Sequence, residues 1–124
     1  MDFTDSGALL DEAKRLDLYD ALVVQLEKDF GLANIPTSFT VEGGRESLLP
    51  KALRAALHEK LYVLILEKFD RYLNLLYIID VPEKAFKGIQ ITDAVEVAEQ
   101  VCFLVLKREF QKVWYRENPS SGIA

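Results

Sequence analysis

From Lys51 to Ile79 the chain reads KALRAALHEKLYVLILEKFDRYLNLLYII, without a single glycine or proline. Within it Leu53, Leu57, Leu61 and Leu64, then Ile65, Phe69, Tyr72 and Leu76, recur with the 3.6-residue period of an amphipathic helix. The charges Lys60, Glu67, Lys68 and Arg71 fall between them. A strand has no use for that period, so the stretch predicts a helix over 51–79. Kept straight, it would be about 44 Å long at 1.5 Å per residue. A compact chain of 124 residues is only about 35 Å across. The helix must therefore kink, protrude, or be covered by a second subunit.

A second long helix is expected from Thr92 or Asp93 onward, where Asp93-x-x-Glu96 matches the pattern of an N-terminal cap. Ala94, Ala98, Val101 and Val105 mark one face. Val95, Cys102, Leu106, Phe110 and Val113 mark the next. Its middle, VCFLVL at 101–106, is apolar all round, which requires cover on every side. This is either the central helix of the fold or a helix that meets another chain.

The remaining elements follow from local signals. Leu18, Leu22, Val23, Leu26 and Phe30 predict a helix that Asp17 caps and that ends by Asn34, because Pro36 disfavours a helical Ile35. Residues 35–47 form a break. Ser47 is an N-cap candidate for the long helix, and Pro50 fits its first turn. SFTV, at 38–41, is a possible extended piece with GIQIT at 88–92 as its only partner. At the joint Asp80-Val81-Pro82-Glu83, Asp80 reads as the cap of a short helix ending at Gly88. The expected fold is all-α: a bundle of three to four helices with two long antiparallel ones. Residues 1–17 are read as an N-terminal arm, its first fifteen or so residues either frayed or an early helical turn, 18–118 as one helical domain and 119–124 as a flexible tail.

Chemistry-bearing residues are few. His58 is the only histidine and Cys102 the only cysteine. This excludes a disulfide framework within the chain, multi-cysteine zinc sites and two-histidine metal motifs. Cys102 sits in the most apolar run, where a free thiol behaves as a small hydrophobe. The two glycines of VEGGRES, before the long helix, are a weak phosphate-cradle signal outweighed by a turn. Nothing points to a cofactor or to catalytic residues. The longest unbroken apolar runs span six residues, against about 20 for a membrane span. No secretory signal is visible either, so a soluble cytoplasmic chain is expected.

Net charge is −5, with ten acids and four bases in residues 1–46 and near balance thereafter. An acidic whole argues against general nucleic-acid binding. One local basic cluster stands out, KREFQKVWYREN at 107–118. Arg108, Lys112 and Arg116 line one helix face, with Trp114 and Tyr115 beside them. These five residues are the candidates for binding an anion or a partner.

The stretches LLYIIDVPEKAF and VLKREFQKVWYREN resemble a group of small helical proteins of unassigned function from Bacteroidetes-type bacteria, over roughly residues 18–118. The resemblance implies an all-helical fold and no particular activity. The functional expectation is a non-enzymatic interaction or scaffold protein that forms a homodimer or binds a helical partner. The alternative is a nucleic-acid or anion-binding accessory protein using the basic face. A third reading is a small-ligand pocket near His58, Tyr62 and Tyr77.

Overall fold

A computed structural model describes residues 3–41 and 46–119. Among them are five α-helices: α1 (Ser6–Arg15), α2 (Tyr19–Leu32), α3 (Pro50–Glu67), α4 (Phe69–Ile79) and α5 (Ala94–Glu117). A 3-10 turn over Glu83–Gly88 joins α4 to α5. The all-α expectation holds, with six helical segments rather than three or four. The tail beyond Pro119, and the glycines of VEGGRES, lie outside the described residues.

Residues 6–15, read from the sequence as an arm, are a helix of the core. Leu9, Leu10 and Ala13 are fully buried, and α1 packs against α2, α3 and α5. Asp5 starts it by accepting the Ala8 N–H at 2.8 Å. Asp17 is not the N-cap of α2. It stands in the left-handed region at φ 59° and closes α1, with Leu18 N–H bonded to Ala13 O and Asp17 N–H to Lys14 O.

The same device recurs twice. Asn34 (φ 60°) ends α2 with Ile35 N–H on Phe30 O, and Asp80 (φ 69°) ends α4 with Val81 N–H on Leu76 O. In each case the residue after the turn is apolar and folds back toward the helix it has just left, as this cap favours. Asp80 therefore terminates α4 instead of capping the next helix. Its short polar side chain tolerates the left-handed conformation and pairs with Arg108.

The long helix is kinked. At Lys68 the backbone leaves helical geometry (φ −141°, ψ 60°), and α4 restarts there without a side-chain cap. No proline or glycine causes the break. It lets α4 turn back against α2, α3 and α5, where a straight rod would carry Tyr72, Leu75 and Ile79 out of the core. Ser47, the expected cap of α3, instead bridges to Thr40 and donates to Asp20 Oδ1 at 2.8 Å. α3 starts at Pro50 with Leu49 in the cap position. SFTV pairs with the 46–48 segment and not with GIQIT. The amide of Gln100 clamps GIQIT to α5, accepting from Gln90 N–H at 2.9 Å and donating to Gln90 O at 3.0 Å.

α5 is the hub. Ala98, Val101, Cys102, Val105, Leu106, Phe110 and Val113 are buried, beneath α1, α2, α3 and α4. Its main partner runs antiparallel to it: Arg54 lies by Glu99, and His58, one turn on, lies by Val95. The segment 101–106 is thus covered largely by this chain itself.

Two substitutions test this packing in urea unfolding. Phe110→Ala should cost about 3–5 kcal/mol by removing a fully buried ring. Asp17→Gly should raise stability by about 0.5–1 kcal/mol, because the left-handed turn then carries no Cβ. A destabilised Asp17→Gly would show that the aspartate side chain contributes more than the backbone turn.

Candidate functional site

The five residues picked from the sequence do gather on the outer part of α5, and this chain already occupies its three cations. Arg108 donates from Nε to the Asp80 carbonyl at 3.0 Å and from Nη2 to Asp80 Oδ2 at 3.1 Å. Lys112 donates to Asp29 Oδ2 at 2.7 Å. Arg116 donates to Gln25 Oε1 at 3.2 Å. Trp114 is half-buried and lines a hollow of about 440 Å³ with Leu16, Leu18 and Ala21. Tyr115 is more exposed and meets the Trp114 ring edge-on at 5.3 Å.

Lys112 belongs to a buried polar cluster that the sequence reading missed. Gln25 and Asp29 stand one turn apart on α2, both nearly covered, and Gln25 Nε2 donates to Asp29 Oδ1 at 3.1 Å. From α5, Glu109 points into the same place and is fully buried. Its Oε1 lies 2.9 Å from Lys112 Nζ. That contact is an ion pair without hydrogen-bond alignment, so neither Glu109 oxygen has a hydrogen-bond partner among the described residues. Burial pushes this carboxyl up to about 8; Asp29 adds to the rise and Lys112 opposes it. One signal was available: Glu109 follows Val101 and Val105 in the register of the buried face, where a carboxylate breaks the apolar pattern.

Cys102 is the core thiol expected. Burial pushes it up to about 12, so it is protonated at neutral pH and a poor nucleophile. Among the described residues no group of three or more His, Cys, Asp or Glu side chains could hold a metal ion. No helix there is long and apolar enough to cross a membrane.

One row of exposed apolar side chains lies on α4. Phe69, Leu73 and Tyr77 recur every four residues along one stripe beside the buried face of Tyr72, Leu76 and Ile79. Tyr77 is 83% exposed, and Phe69 and Leu73 about half. Leu66, at the end of α3, is also more than half exposed. Of the residues named for a small-ligand pocket, His58 and Tyr77 lie in different surroundings. His58 lines a hollow between α3 and α5, whereas Tyr77 stands in solvent.

No family model, curated protein or solved structure matches the chain.

Glu109 makes stability depend on pH. Its folded value lies above the unfolded one of about 4.5, so between these values the folded chain holds a proton that the unfolded chain has lost. Stability should be greatest below pH 4.5 as far as this group is concerned. It should fall as pH rises toward 8, by up to about 1.4 kcal/mol per pH unit. Glu109→Gln, neutral throughout, should flatten the slope of urea midpoints between pH 5 and 8. An unchanged slope would mean that Glu109 is ionised in the folded state.

Proposed function

We propose that this chain is a non-enzymatic helical interaction module, cytoplasmic in setting, that self-associates through the exposed stripe of α4. The single observation carrying this reading is the uncovered series Phe69, Leu73 and Tyr77. The two sequence motives for a dimer have intramolecular answers: the kink at Lys68 absorbs the excess helix length, and α1 to α4 cover the 101–106 segment. The stripe has no such answer.

A second copy is the occupant that suits the stripe best, because the residue order is self-complementary. In a two-fold antiparallel pairing centred on Leu73, Phe69 of each copy meets Tyr77 of the other, and Leu73 meets Leu73. Such a contact is isologous and closes on itself. With Leu66, the stripe exposes on the order of 450 Å² per copy. Fully covered on both copies, a pair would bury about 900 Å², below the roughly 1,200 Å² of stable specific interfaces and in the range of weak, transient ones. The reading is therefore a weak dimer. Nucleic-acid binding through Arg108, Lys112 and Arg116 has less support, since each cation would first have to leave an oxygen of its own chain.

Sedimentation across micromolar to millimolar concentrations checks this reading. The expected mass rises from 14.1 kDa toward twice that value, and Leu73→Glu holds the chain at one copy with its helical circular dichroism intact. A single-copy mass throughout the range would refute self-association. Dimerisation unaffected by Leu73→Glu would place the contact elsewhere.

A further inference from the structure

We propose that the hollow between α3 and α5, lined by His58, binds an organic carboxylate carrying a short apolar tail, its head held by Lys51 and Arg54. These three residues lie on one side of α3, three and four positions apart, and face Glu99 and Cys102 of α5 across a cavity of about 270 Å³. Lys51 and Arg54 are less committed than the α5 cations, whereas the His58 ring is held by a backbone carbonyl of its own chain. Among the described residues Lys51 has no ion pair. Arg54 has one ion contact, to Glu99 Oε1 at 3.9 Å, which is too long for a hydrogen bond. His58 Nε2 donates to Val95 O at 3.1 Å and lies 3.8 Å from Glu99 Oε2.

The Glu99 side chain stands between Arg54 and His58, touches neither at hydrogen-bond distance, and is 59% exposed. It holds the place of a carboxylate and can swing into solvent to surrender it. This is the argument for a carboxylate head. An Arg fork meets both oxygens of such a group in one plane, with a charge-assisted bond to each.

The guanidinium rests close over the first turn of α1: a Cβ at Gly7 would come to 3.1 Å from Arg54 Nη1, so the bare backbone there leaves it room. The other acid nearby, Asp5, is already engaged in capping the Ala8 N–H.

The argument for the tail comes from the far side of Glu99. That residue also lines a second hollow of about 360 Å³, in which Ile89, Phe103 and Leu104 form an apolar wall and Asp5, Ser6 and Gln100 are the polar lining. Phe103 and Leu104 are the only members of the all-round apolar segment left half-covered. The Gln90–Gln100 clamp fixes the wall that carries Ile89. Glu99 lines both hollows, so a ligand that displaces its side chain would meet the cations on one side and the apolar wall on the other.

Calorimetric titration of the full chain with octanoate, acetate and octanamide tests the proposal. Octanoate should bind at least tenfold more tightly than acetate, which lacks the tail, or octanamide, which lacks the charge. Arg54→Gln and Lys51→Gln should each weaken octanoate about tenfold, the scale of one charge-assisted hydrogen bond. Glu99→Gln removes the competing carboxylate and should tighten binding. Opposite effects at Arg54 and Glu99 would not arise from a general loosening of the fold. Lys51 is exposed, so its variant carries the test if Arg54→Gln lowers helicity. Leu73→Glu should leave octanoate binding unchanged, keeping this site separate from self-association. The proposal is overturned if no saturable octanoate binding occurs at millimolar concentration, if octanamide binds as well as octanoate, or if both cation variants match the parent.

Discussion

Covering the apolar girdle of α5 is the requirement around which the rest of the molecule is arranged. A helix that shows Val101, Cys102, Phe103, Leu104, Val105 and Leu106 in succession cannot lie on a surface. Four helices share the task. α3 runs antiparallel along one side; α1 and α2 cover others; and α4 reaches the hub because the long helix breaks at Lys68. The loop after α4 closes part of the remaining arc through Ile89 and the Gln90–Gln100 clamp. Where that cover is thinnest, at Phe103 and Leu104, the apolar hollow opens. The inferred ligand site is thus the incomplete part of the same enclosure.

The polar cluster at the α2–α5 contact has a different physical role. Taking Asp29 and Lys112 out of water costs several kcal/mol per ion before pairing offsets it, and the Glu109 carboxyl, pushed up to about 8 by burial, remains short of hydrogen bonds. An apolar trio of the same volume would serve stability as well or better. What the cluster provides is register. Lys112 meets Asp29 only at one sliding position of α5 along α2, and Arg116 on Gln25 fixes the same position one turn further on. It also uses up the cations that looked, in the bare sequence, like a binding face.

Much of the fold was legible because its signals are local. The helical period of 51–79, the cap at Asp93, Pro50 in a first turn and the stop near Asn34 all depend on a few neighbouring residues, and each appears where the sequence put it. Two features differ from the sequence expectation, each for its own reason. α1 is short, and its three buried residues form no repeating stripe long enough to distinguish a helix from an arm. Asp17 and Asp80 were read as helix starts, since aspartate is a favoured N-cap. Both are left-handed helix ends, a conformation aspartate also tolerates. Only the direction in which the flanking apolar residues fold decides between these roles. Of the binding residues, the α5 stripe was visible as a spacing, but whether a cation is free is not a property of spacing. Lys51, Arg54 and His58 have a similar spacing and were passed over.

By itself, the sequence determined that this chain is helical, that 101–106 must be buried, and where most helices begin and end. Backbone propensity, caps and amphipathic period act within a turn or two, so they can be read in one dimension. The tertiary structure alone decided that the long helix breaks at Lys68, that Glu109 is buried beside Asp29 and Lys112, and which cations and apolar side chains are left without partners. Those outcomes depend on what lies across the interhelical space, where residues as far apart as Asp29 and Lys112, or Arg54 and Glu99, come within 4 Å. Coulomb attraction and desolvation act through that space and not along the chain.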